Sequence, residues 1–91
     1  MPNMPRLKLT EIPLDTIFVI VEVVGGRGIK KQLRDIGLGE GVELTLIAMQ
    51  PAGGPLVVRT QSSMITLGRG KAERIMVEIQ DEKPSTGVKS G

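Results

Sequence analysis

Glycine and proline cut this chain of 91 residues into short runs, and most of those runs suit strands better than helices. The strongest is "TIFVIVEVV" at 16–24, mostly β-branched and stopped by Gly25 and Gly26. In a regular strand its side chains alternate, so Ile17, Val19, Val21 and Val23 share one face while Phe18, Ile20, Glu22 and Val24 share the other. "VELTLIAM" (42–49) alternates in the same way, and "LVVRT" (56–60), "MITLG" (64–68) and "IMVEI" (75–79) are shorter strands. "LKLTEIPLD" adds an edge segment through Leu7 and Leu9 and a turn from Pro13 to Asp15. Five to six short strands with a turn signal every ten residues or so predict a mainly β fold. A small barrel suits them, because closing the sheet protects the edges of a thin apolar core.

One run has a different period. In "IKKQLRDI" the apolar residues Ile29, Leu33 and Ile36 fall at spacings of four and three, which predicts one short helix after the first long strand. Gly37 follows at once, as expected of a left-handed helix stop. Gly39 and Gly41 bracket Glu40 in the connection to the next strand, and Leu38 folds inward only if the backbone turns sharply on both sides of it. In "QPAGGPLVVR", Gly53 and Gly54 are the expected source of positive φ in a hairpin shouldered by Pro51 and Pro55. "RGKAER" suits a single helical turn. The boundaries that follow are a loose lead-in at 1–6, one domain at 7–80, and a polar tail at 81–91 expected to be disordered.

Composition excludes much chemistry. There is no cysteine and no histidine, so disulfides, thiolate nucleophiles and imidazole bases or ligands are absent. Ser62, Ser63, Ser85 and Ser90 therefore have no base to activate them. Glu22, Asp35, Glu40, Glu43, Glu73 and Glu78 show no spacing that singles out an acid–base pair or a metal cluster. No catalytic residue, cofactor or metal ligand is expected. "GGRGIKK" puts glycines before a helix but lacks the spacing of a phosphate loop, leaving a plain strand-to-helix turn as the simpler reading. "TIFVIV" is too short to cross a bilayer and no signal-peptide core opens the chain, so a cytoplasmic protein without membrane insertion is expected.

Binding remains. The net charge is only +2, but Arg27, Lys30, Lys31 and Arg34 lie in one stretch without an acid. They form either a docking face for phosphate or an acidic protein, or a solvated helix face. Base stacking and proline-rich peptide capture need aromatic platforms, and Phe18 is the single aromatic residue. Met49, Met64 and Met76 suit either an adaptable contact patch or core filling.

From about Leu9 to Glu78 the chain resembles the FeoA family, small proteins that accompany the ferrous iron transporter FeoB. The resemblance lies in the helix ending at Leu33, the "GLGEGV" turn (Gly37, Leu38, Gly41, Val42), the "PAGGP" hairpin, and Ala72, Ile75 and Val77. Gln32 stands where the family has Arg before Leu, and Gly68 and Gly70 loosen a turn that is usually charged. The resemblance implies an SH3-like barrel with the helix inserted after the first long strand. It also implies a non-enzymatic cytoplasmic accessory role in ferrous iron uptake, with contact to the GTPase-bearing part of FeoB. Association with iron(II) follows from the resemblance alone. The residues expected to meet the partner are Arg27, Ile29, Lys30, Lys31 and Arg34, with Leu33, Gly37, Leu38, Gly41, Gly53 and Gly54 structural. A similar domain ends iron-dependent repressors of the diphtheria-toxin-repressor type, but this chain shows no helix-turn-helix. The alternative is a basic nucleic-acid-binding or regulatory module using Arg27, Lys30, Lys31 and Arg34, although nucleic acid is the less favoured partner.

Overall fold

The computed structural model describes residues 6–80. The β-branched run is the second strand of a six-stranded antiparallel sheet: β1 (Leu7–Lys8), β2 (Ile17–Val23), β3 (Glu43–Met49), β4 (Leu56–Arg59), β5 (Met64–Leu67) and β6 (Ile75–Ile79). Helix α1 (Arg27–Asp35) stands between β2 and β3, and the one-turn helix α2 (Arg69–Ala72) between β5 and β6. The strand order is β1-β6-β2-β3-β4-β5, so the last strand is inserted between the first two. A 3-10 turn at Leu9–Glu11 follows the edge strand β1 and packs on α2, which follows the other edge strand, β5. Leu9 and Ala72, both fully buried, thereby cover the seam between the two edges. The small mainly β barrel expected from the punctuation is thus present. The loose lead-in and the tail fall largely at 1–5 and 81–91, outside the described residues, although Arg6 is held to Glu22 by a 2.9 Å ion pair.

Two bulges correct the simple alternation. In β2, Phe18 and Ile20 face the core, but the pairing with β6 slips between Ile20 and Glu22. The extra residue, Val21, reverses the parity, so Val23 is buried and Val24 is 46% exposed. Glu22 stays on the outside. A second slip between Leu46 and Ala48 in β3 sets Met49 opposite Leu56 and against the core. Each bulge sharpens the local twist, which lets so short a sheet curl around a single cluster of Val, Ile and Leu with Phe18 at full burial. Among the described residues no polar or charged side chain is buried.

The helix stop anchors two leucines of this core. The Leu38 N–H donates to the Leu33 carbonyl at 2.8 Å and the Gly37 N–H to Arg34 at 3.0 Å, with Gly37 at φ +94°. This is a Schellman closure, whose usual hydrophobic partners are the residues at these two ends of the long bond. Here they are Leu33 and Leu38, both fully buried. Ile36, expected on the buried face, is instead the cap residue and is 46% exposed; the reversal of the chain at Gly37 gives its place to Leu38. The next reversal, at Gly41, lays the backbone along β2: Gly41 N–H donates to the Ile20 carbonyl at 2.7 Å and Ile20 N–H to Val42 at 3.0 Å.

The hairpin between β3 and β4 corrects another expectation. Its left-handed pair is Ala52 (φ +58°) and Gly53 (φ +77°), closed by Gly54 N–H donating to Pro51 at 3.2 Å. Two successive positive φ values match the twist of the flanking strands. Gly54 has ordinary φ and is required for a different reason, since a Cβ there would lie 2.7 Å from Gln50 Cβ. Arg69 of α2 braces this loop by donating from Nη2 to the Gln50 carbonyl at 2.7 Å.

Three outcomes follow. Gly37→Val forces a β-branched side chain into the left-handed region and lowers stability by about 1–2 kcal/mol, while Leu38→Ala costs about 2–5 kcal/mol through the cavity it leaves. Thermal unfolding followed by circular dichroism reads both as drops of roughly 4–8 °C per kcal/mol; an unchanged midpoint for Gly37→Val contradicts the closure. Gly54→Ala also lowers the midpoint, even though its φ suits alanine; the size of the drop measures how far Gln50 can give way.

Candidate partner-docking site

Helix α1 is held to the barrel by its apolar side. Leu33 is fully buried and Ile29 half-buried against the core, so of the residues expected to meet a partner Ile29 is turned inward. The other four are brought together. Arg27, Lys30, Lys31 and Arg34 sit at i, i+3, i+4 and i+7, within an arc of about 100° on an α-helix. All four are exposed.

Their placement does little for the helix. The N-cap, Gly26, makes no side-chain hydrogen bond to the first turn, and that turn carries no acid. Arg27 and Lys30 therefore lie toward the positive end of the helix dipole, where cations are unfavourable; only Arg34, in the last turn, complements the dipole. Lys31 Nζ meets Asp35 Oδ2 at 2.8 Å, but both side chains are more than half exposed, and such a pair is worth a few tenths of a kcal/mol. Arg27, Lys30 and Arg34 form no ion pair among the described residues. A stripe of cations that gives its own helix so little support is a candidate for recognising something outside it.

Beside the stripe, a cleft of about 530 Å³ is lined by Lys30 and Arg34 of the helix, Gly39 and Glu40 of the loop, and Val23 and Val42. No pattern in the sequence announced this pairing of loop and helix, since it depends on the non-local bonds from Gly41 and Val42 to Ile20. The single local hint was an acid, Glu40, set between two glycines.

Other candidate groups stay apart. Glu22 and Asp35 are engaged in ion pairs, and among the described residues no three carboxylates approach closely enough to hold a metal ion. Ser62 and Ser63 donate their backbone N–H groups to Thr60 Oγ1 at 3.2 and 3.1 Å, a polar turn joining β4 to β5; Ser85 and Ser90 lie outside the described residues. The methionines divide: Met49 and Met76 are half-buried, whereas Met64 is 59% exposed. No helix among the described residues is long and apolar enough to cross a membrane.

Residues 7–79 match the FeoA domain family. A protein of Methanocaldococcus jannaschii named for Fe(2+) transport, transport protein A, is 35% identical over 60 residues, spanning 66% of this chain and 71% of the relative. The solution structure of the FeoA protein from Chlorobium tepidum superposes with a TM-score of 0.72 at 29% identity, over 85% of this chain and 75% of that one. The zinc complex of FeoA from Stenotrophomonas maltophilia, described as a prokaryotic SH3-domain protein, gives a TM-score of 0.65 at 30% identity, over 79% and 89% of the two chains. With the barrel, its inserted helix and the closure at Gly37 all in place, this chain belongs to the FeoA family.

Proposed function

We propose that this protein is a non-enzymatic cytoplasmic accessory factor of ferrous iron uptake, acting by docking α1 on the GTPase-bearing part of the FeoB transporter. The observation that carries the reading is the exposed arc of Arg27, Lys30, Lys31 and Arg34, whose charge does little for the stability of its own helix. Family membership supports the transport role: the Methanocaldococcus relative is named for Fe(2+) transport, and the Stenotrophomonas protein has been put forward as an activating factor for ferrous iron transport. Iron is the cargo of the partner in this reading. Without histidine or cysteine, this chain has only carboxylates and weaker oxygen or thioether donors to offer it. Docking needs none of these. Cations on one arc raise the rate of encounter with an acidic surface and set the orientation, while affinity comes from what is buried beside them.

Titration of the protein with the purified cytoplasmic domain of FeoB, beside single- and double-stranded oligonucleotides at physiological salt, tests the reading. Saturable binding to the FeoB domain is expected. The triple variant Lys30→Glu, Lys31→Glu, Arg34→Glu weakens it by about tenfold or more. The same variant still unfolds in one cooperative transition, since exposed substitutions away from special backbone positions change stability by at most about 0.5 kcal/mol each. Unchanged affinity in the variant overturns the assignment of α1. Salt-dependent binding to the oligonucleotides alone moves the basic arc to phosphate recognition.

A further inference from the structure

Charge steers, but a partner must also be gripped, and the cleft next to α1 is shaped for gripping. Lys30 and Arg34 of the helix, Glu40 of the loop, and Val23 and Val42 line its volume of about 530 Å³. Val42 is only half-buried, so an aliphatic side chain entering the cleft completes its packing. Its lining carries both signs of charge. A carboxylate fits against Lys30 and Arg34, which have no ion pair among the described residues, and an amide or other donor fits against Glu40.

We propose that this cleft receives an acidic segment of the docking partner that carries at least one aliphatic side chain, with its carboxylates on Lys30 and Arg34 and the aliphatic group on Val42. The proposal rests on the docking reading above and names the chemistry of the segment recognised. A nucleic-acid strand suits the cleft poorly, because Glu40 in the same lining repels phosphate and Phe18, the single aromatic residue, is fully buried. A peptide can satisfy both signs at once.

Gly39 allows the cleft to be closed without touching its charge. Its φ is ordinary, and a Cβ built on it meets Arg34 Cγ at 3.6 Å and Cβ at 3.9 Å, normal contact distances. Gly39→Gln therefore folds, and its side chain starts against the Arg34 stem at the lining of the cleft, where it obstructs entry. The probes are a short synthetic peptide of alternating Glu and Leu and its Lys–Leu counterpart, followed by amide shift mapping on the full chain. The expected result is that the acidic peptide moves Lys30, Arg34, Gly39 and Val42, that the basic peptide does not, and that Gly39→Gln weakens acidic-peptide binding by about tenfold or more. Absence of acidic-peptide binding, or shifts confined to the outer arc and unaffected by Gly39→Gln, overturns the proposal.

Titrating both forms with the FeoB domain separates this failure from failure of the docking reading. Equal affinity of wild type and Gly39→Gln overturns the cleft and leaves docking by α1 intact. If neither form binds the domain, the docking reading fails and the peptide experiment alone decides the cleft.

Discussion

The bond from the Leu38 N–H to the Leu33 carbonyl is the constraint on which the rest of the barrel depends. It ends α1, turns the chain back, and drives Leu38 into the core against the helix it has just left. It also sets the course of the chain toward Gly41, where the backbone joins β2. The helix therefore does not hang from the barrel on flexible connections. Its position, and with it the orientation of the basic arc, is fixed at one end by a backbone closure and along its length by Leu33 and Ile29.

Much of this was legible from the residues. The limits of β6 are those read from its apolar alternation, and the stop at Gly37 follows from a glycine placed directly after a helical period. The cationic stripe was equally legible, because spacings of three and four translate directly into one helix face. What was not legible depends on backbone geometry that no side chain advertises. The bulge at Val21 inserts one residue into a uniform β-branched run, and nothing in that run marks which residue is extra. Ile36 satisfies the helical period yet lies where the helix has already ended. Ala52 takes a left-handed conformation beside a glycine, where sequence alone favours the pair of glycines. The cleft was hidden for a further reason: its walls come from segments that meet only through pairing with β2.

Fold and docking surface draw on different residues. The core is aliphatic and uncharged, and its closures depend on glycines and leucines that a partner never needs to touch. The arc on α1 contributes little to that core and runs partly against the helix dipole. Charge on α1 can therefore change without loss of the barrel, whereas its glycine stop cannot. Departures from the family pattern at Gln32, an exposed position, leave the inward side of the helix untouched.

The insertion of β6 between β1 and β2 has a consequence for biosynthesis. Leu7 pairs with Val77 and Val23 with Ile75, so the first strand has no neighbour until the last one has been made. Until Ile75–Ile79 leave the ribosome, β1 has no partner and β2 is open along one side. Closure thus waits for the last strand and joins the two ends of the domain, the kind of long-range pairing that makes folding slow relative to helical proteins of similar size. A chain truncated before β6 retains the basic helix but exposes the edge of its most β-prone strand, and its fate is aggregation rather than partial function.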